Sequence, residues 1–234
     1  MSPPPAAHIL CYARTLDGGG VERALLRLAR GWTDAGRRVT LVVGDAGGPL
    51  GAELSPAIEL VELGDRHGRA LLRLPAVVAE LAPDLLFCPG NYYSSTALWT
   101  RARLRRRCPP IVLKMSNAVT RGDHGRLRDL GHHAWLGLHG RFLDHLVAMT
   151  PGTAAIAAAA LGMEGRTSVI ANPPAIPHPE LPQTLMPPGP VVLGVGRLVA
   201  QKRWDRLIDA LPRLADRSAQ LVILGEGALR ETLA

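Results

Sequence analysis

Lysine is almost absent from this 234-residue chain: Lys114 and Lys202 are the only two, so nearly all the positive charge is arginine. With abundant alanine beside it, this marks a compositional bias, and it singles out a well-placed lysine. Aromatic residues make up only 4% of the sequence. The basic residues are dispersed and no nucleic-acid reading motif is present, so nucleic acid is not an expected partner. Cysteine is scarce as well. Cys11, Cys88 and Cys108 stand far apart, with no Cys-x-x-Cys pair and no histidine at metal-ligand spacing, so no metal site is expected. Reduced thiols in a cytoplasmic protein are the simplest reading.

Long apolar runs are also missing. The start, Met1-Ser2-Pro3-Pro4-Pro5, lacks the basic and apolar regions of a signal peptide, and the small-residue stretch 154–163 is too short to span a bilayer. Membrane contact is expected to be peripheral. What the chain does have is 47% hydrophobic residues, enough for one large α/β core or two smaller ones. Its formal charge of +7 suits anions, but does not choose among nucleic acid, acidic lipid, phosphorylated metabolites and a solvated basic surface.

Periodicity predicts a strand over 8–13, then a helix over 21–32 with Val21, Ala24, Leu25 and Leu28 on one face and Gly36 as its stop, then a strand over 38–43. Strands over 58–63, 84–88, 111–115, 145–149 and 167–171 follow, alternating with helices over 70–81, 95–106, 127–142 and 151–161. The last helix takes Thr150 as N-cap and Pro151 in its first turn. Such alternation implies a mostly parallel sheet covered on both faces. Residues 173–190 are proline-rich and read as a linker. Beyond it come a strand over 191–195, a helix over 204–214, a strand over 220–224 and a helix starting at 228. The expected fold class is α/β: an N-terminal Rossmann-like, doubly wound parallel sheet over 1–172, the linker, and the beginning of a second Rossmann-like domain over 191–234, too small to bury its own sheet and therefore expected to be cut short.

Chemistry concentrates in a few turns. Asp17-Gly18-Gly19-Gly20-Val21-Glu22-Arg23 joins the first strand to the first helix at the carboxyl edge of the sheet. There, glycines let backbone N–H groups approach a ligand, and a helix N-terminus favours an anion. The turn matches neither the dinucleotide fingerprint nor the P-loop, and positive-φ turn geometry would also account for its glycines. Arg197 and Lys202 lie on the loop after the strand over 191–195. As a pair of cations at a helix N-terminus they could clamp a diphosphate and offset charge on a leaving group without a metal; as surface side chains they could simply be solvated. Asn91, Tyr92 and Tyr93 follow the strand over 84–88 at the ligand-binding edge, where turn chemistry explains Gly90-Asn91 equally well. The segment from Trp99 to Arg107 joins one aromatic to five arginines, and suits either an anionic membrane surface or a solvated helix end.

Gly194-Val195-Gly196-Arg197-Leu198-Val199-Ala200-Gln201-Lys202 and its continuation to Leu211, followed by Leu221-Val222-Ile223-Leu224-Gly225-Glu226-Gly227-Ala228-Leu229-Arg230, closely resembles the start of the donor domain in glycosyltransferase family 4. The Gly-Gly-x-Glu-Arg turn, Met149-Thr150-Pro151-Gly152 and Ile170-Ala171-Asn172-Pro173 resemble family landmarks in the first domain. The resemblance runs from about residue 8 to residue 234. It implies the GT-B fold and transfer of a sugar from a nucleotide diphosphate sugar, with retention and without a required metal, to a glycan, lipid-linked or small-molecule acceptor.

By the same resemblance, Arg197 and Lys202 are the catalytic, diphosphate-binding pair. Gly225, Glu226 and Gly227 belong with them on the donor side, and Gly19 and Gly20 fall on the turn that faces the donor phosphates or the acceptor. Acceptor-side candidates are Glu22, Asn117 and His124, with Asn91 and Tyr92 added by their position at the ligand-binding edge. The chain departs from the family in two ways. It ends before the Glu-x7-Glu segment whose glutamates contact the donor, so it is expected to transfer little sugar by itself. It also carries Ser116-Asn117 where many members have a histidine; His124 is near in sequence and reads equally as an exposed loop residue. A non-catalytic module that binds a phosphorylated or anionic ligand is the alternative function.

Overall fold

The computed structural model describes residues 5–115, 126–174 and 189–233. It divides into two compact units, Met1–Ala175 and Ile176–Ala234.

The first unit is built on a sheet of parallel strands. The chain runs β1 (His8–Thr15), α1 (Gly20–Asp34), β2 (Arg38–Asp45), β3 (Glu59–Glu62), α2 (Leu74–Leu81), β4 (Leu85–Cys88), α3 (Ser94–Leu104), β5 (Ile111–Met115), α4 (Arg126–Phe142), β6 (His145–Ala148), α5 (Pro151–Leu161) and β7 (Thr167–Val169). The seven strands lie in the order β3-β2-β1-β4-β5-β6-β7, every neighbouring pair parallel. Connections that leave β1 toward β2 and β3 on one side, and continue from β4 to β7 on the other, make a switch point between β1 and β4. There the loops diverge beyond the carboxyl ends of the strands and open a crevice.

The apolar run in β1 puts alternate side chains into two cores. Leu10 and Tyr12 join one cluster with Leu86, Leu113 and Leu146, whereas Ile9, Cys11 and Ala13 join the other with Leu25, Ala29 and Leu41. Burial on both faces is the environment of a central parallel strand, and each fully buried leucine contributes about 1.5–3 kcal/mol. On the α1 side, Trp32 meets Phe87 edge to face with ring centroids 4.9 Å apart.

Helix ends follow local chemistry. Thr150 caps α5 reciprocally with Thr153, and Gly162 ends the helix in the left-handed conformation at φ 64°. The helix expected over 70–81 opens instead as a 3-10 turn, Gly68–Arg73, and becomes α-helical at Leu74 with Pro75 in its first turn, where a missing N–H costs nothing. The helix expected over 95–106 starts one residue earlier and ends at Leu104, because Arg105 turns to φ 52° and a 3-10 turn of arginines follows. β1 and β2 each run two residues longer than expected, while β6 and β7 stop short at Ala148 and Val169.

In the second unit, β8 (Val191–Val195) and β9 (Gln220–Leu224) pair in parallel, with α6 (Trp204–Ala210) between them and α7 (Arg230–Leu233) after β9. α6 is shorter than the expected 204–214, since Pro212 has no N–H with which to continue the ladder and the chain tightens into a 3-10 turn, Leu211–Arg213. Trp204 packs under β8, and a Cβ on Gly194 would lie 2.7 Å from its ring. Among the described residues, no helix is long and apolar enough to cross a membrane.

Candidate functional site

In the first unit the site grows from the β1–β4 switch point. Gly18 adopts φ 119°, a conformation open to glycine, and Gly19 forms the N-cap of α1. A Cβ on Gly19 would collide with the Glu22 carboxylate, whereas one on Gly20 would meet nothing within 4 Å. Three successive glycines therefore do three different things: one turns the chain, one makes room for an acid, and one leaves open space in front of the helix.

Glu22 is held from across the crevice. Tyr93, buried in the 3-10 turn Asn91–Tyr93 after β4, donates its hydroxyl to Glu22 Oε1 at 2.7 Å. The same hydroxyl accepts the Arg14 N–H at 3.2 Å, where β4 has already ended, and the Tyr93 carbonyl accepts from the Tyr12 hydroxyl at 3.0 Å. Burial above all, with the Glu22 carboxylate adding to it, pushes the Tyr93 phenol well above its ordinary range, so it stays a donor. Among the described residues nothing donates to Glu22 Oε2. The Arg14 side chain reaches Tyr92, its Nη1 donating to the phenol oxygen at 2.9 Å.

On the other flank, Arg66 bridges Asp17 Oδ1 at 2.6 Å and Asp45 Oδ2 at 3.1 Å, and the Leu50 N–H donates to Leu16 O at 3.0 Å. These contacts tie the glycine turn to the end of β2. Gly90 brings its backbone against Val21, whose Cγ1 would be 3.3 Å from an added Cβ. The backbone of Asn91 serves its own turn, its carbonyl accepting from Ser94 Oγ at 2.7 Å.

In the second unit, the loop after β8 is pinned to the loop after β9. Leu198 N–H donates to Glu226 O at 2.8 Å, Leu229 N–H to Leu198 O at 3.0 Å, and Trp204 Nε1 to Arg197 O at 2.9 Å. Gly225 and Gly227 make this possible: added Cβ atoms would strike the Gly196 and Leu198 carbonyls. Glu226 contributes its carbonyl to the pinning, and its carboxylate pairs with Arg230 one helical turn on. The outcome is a fixed backbone that leaves the Arg197 and Lys202 side chains in solvent, the Lys202 stem passing 3.7 Å from the position of a Cβ on Gly196. Neither cation is in an ion pair among the described residues. A small pocket lined by Leu198, Ile223, Gly225, Arg230 and Leu233 adjoins this loop.

The expected site residues thus fall into two groups. Gly19, Gly20, Glu22, Asn91 and Tyr92 gather at the carboxyl edge of the first sheet; Arg197, Lys202, Gly225, Glu226 and Gly227 gather at that of the second. Asn117 and His124 lie outside the described residues. Sequence reasoning missed Arg14 and Arg66. The signal for Arg14 was present as a lone cation at the end of an otherwise apolar strand. Arg66 had none, being one arginine among many. Lys114, the other lysine, is buried in β5 at 3% exposure, and burial pulls its pKa down. No group of three or more His, Cys, Asp or Glu side chains is gathered for a metal among the described residues.

Parallel strands alternating with helices, with a glycine turn at the carboxyl edge of the first sheet and a loop carrying two cations unpaired among the described residues at that of the second, define a Rossmann-like architecture. The family model for Glycosyltransferase Family 4 matches residues 18–173, more than half of the chain, and the chain belongs to that family. Its fold is GT-B. HepE from Anabaena, solved with UDP and glucose, is similar with a TM-score of 0.70 at 21% identity, over 97% of this chain and 63% of that one. The apo form of the lipopolysaccharide outer core galactosyltransferase WaaB gives 0.64 at 18% identity, over 97% and 62%. Glycogen synthase 2 from Geobacter metallireducens is 56% identical over 41 residues, 18% of this chain and 8% of that protein. The chain therefore spans less than two thirds of the length of these relatives.

Proposed function

We propose that this protein transfers a sugar from a nucleoside diphosphate sugar, with UDP as the nucleotide, to an acceptor held at the carboxyl edge of the first sheet. The observation that carries the reading is the pinned loop after β8, which presents Arg197 and Lys202 without a counter-charge among the described residues. In the reaction the bond from the sugar C1 to the diphosphate breaks, and the acceptor oxygen bonds to the same face of C1 while its proton passes to the departing phosphate. Arg197 and Lys202 offset the charge that develops there, so no metal is required. Gly225 and Gly227 keep the backbone close for the nucleotide, while Gly19 and Gly20 open space for phosphate or acceptor. Glu22 Oε2 receives an acceptor hydroxyl, with Asn91 and Tyr92 beside it.

The 234 residues transfer little or no sugar by themselves, given that they match only 63% of HepE. The organisation proposed is an acceptor-side domain over 1–172, a linker over 173–190 and a donor-side domain from 191. The protein is cytoplasmic and touches the inner membrane face peripherally. Supporting that contact, Arg103 lies 5.3 Å from the Trp99 ring, and Arg105, Arg106 and Arg107 are exposed beyond it.

Isothermal titration with UDP tests the donor assignment. Binding that weakens on the order of tenfold in each of Arg197→Ala and Lys202→Ala is expected from the loss of a charge-assisted phosphate contact. UDP binding indifferent to both substitutions would leave only a module that holds some other anionic ligand.

A further inference from the structure

Arg14 is a cation without a carboxylate partner among the described residues, exposed at the mouth of the β1–β4 crevice. Its guanidinium carbon sits 5.7 Å from the Tyr92 ring centroid, and Nη1 donates to the Tyr92 hydroxyl at 2.9 Å. Tyr92 itself is 67% exposed. It does not hang free: its ring meets Tyr93 edge to face, centroids 5.4 Å apart at 84°, and Tyr93 is buried and bonded to Glu22. The Tyr92 ring and the guanidinium packed over it are therefore held together against Tyr93, the residue that bonds Glu22.

We propose that Arg14 and Tyr92 select an acceptor whose sugar ring carries an anionic group, a carboxylate or a phosphate. The C–H face of the ring lies on Tyr92, and the anion takes the remaining N–H groups of Arg14 in the bidentate geometry that suits guanidinium. Glu22 beside it repels a second anion and accepts only a hydroxyl, which fixes which end of the acceptor faces the open space over Gly20. This inference rests on the acceptor-side reading proposed above.

Ligand-observed NMR titrations of the 234-residue chain with glucose, glucuronate, glucose 6-phosphate and inorganic phosphate test it. At least one charged sugar should bind on the order of tenfold more tightly than glucose, the gap expected for one charge-assisted contact, and the two charged sugars tell carboxylate from phosphate. Arg14→Gln should abolish the preference, and Arg14→Lys should keep a reduced one. Tyr92→Ala should weaken the sugars but not inorganic phosphate, while Arg37→Gln, at the opposite edge of the sheet, should change nothing. Glucose binding as tightly as both charged sugars, or a preference that survives Arg14→Gln, overturns the inference. UDP titrated into the same samples separates the two claims. UDP bound with no charge preference removes this inference and keeps the transferase reading; a preference carried by Arg14 with no UDP binding removes the donor assignment and leaves an anionic-sugar site that is not an acceptor site.

Discussion

The hydroxyl of Tyr93 and the carboxylate of Glu22 meet at 2.7 Å across the crevice between β1 and β4, joining the turn after one strand to the first turn of the helix after the other. Tyr93→Phe keeps the buried ring and deletes both the donor to Glu22 and the acceptor of the Arg14 N–H. It should cost about 1.5–3 kcal/mol of stability, the range for a hydrogen bond to a charged group. Denaturant unfolding measures it, and hydrogen exchange should rise at residues 18–20.

Gly19→Ala probes the same geometry from the other side. Its backbone is extended, so the main penalty is the collision with Glu22, with a smaller one for alanine at the N-cap. The substitution should destabilise the wild-type background, yet be close to neutral in a Glu22→Ala background. An equal cost in both backgrounds would show that something other than the acid occupies the space.

Gly225→Ala places a methyl on the Gly196 carbonyl, which is backbone and cannot rotate away. A loss of about 1–3 kcal/mol is expected for such overpacking, confined to the second unit. Limited proteolysis should show faster cleavage within 189–233 and unchanged protection of the first unit.

Two buried histidines set an acid limit. Burial is the largest influence lowering the pKa of His139, whose Nε2 has no hydrogen-bond partner among the described residues; for His8 it is again burial, with Arg38 second, against opposing effects of Glu59 and Asp84. A folded pKa below the unfolded value of about 6.5 means that the unfolded chain binds more protons. Stability should therefore be complete above about pH 6.5 and fall as the pH drops toward the folded pKa values. Urea unfolding at stepped pH checks the sign, and His139→Leu should flatten the slope.

The thiols should be silent. Cys11 and Cys88 are fully buried and pushed up to about 12 by burial, and Cys108 is raised as well. Alkylation by iodoacetamide at about pH 8 should proceed only after unfolding.

The alternation of strand and helix was legible from residue 8 to residue 224 because parallel strands buried on both faces leave unbroken apolar runs such as Leu10 to Ala13. Boundaries were less legible where the deciding residue acts through backbone geometry: Arg105 at positive φ, and Pro212 with its missing N–H. The two glycine-lined turns announced themselves through composition, but composition could not say that Gly19 yields to Glu22 while Gly225 yields to a carbonyl. Arg66 was invisible in sequence because its partners, Asp17 and Asp45, lie far from it along the chain and come together only when β1 and β2 pair.

Arg166 closes two helices at once. Its Nη1 donates to Leu143 O at 2.9 Å, and its Nη2 donates to Gly140 O at 2.9 Å and Gly162 O at 3.3 Å, at the place where α4 and α5 pack so closely that Gly140 has no room for a Cβ. A lysine ammonium is a point charge and cannot span those carbonyls as a planar fork does. Arginine at this position is architecture, and recoding this chain with lysine for arginine throughout would not be a silent exchange.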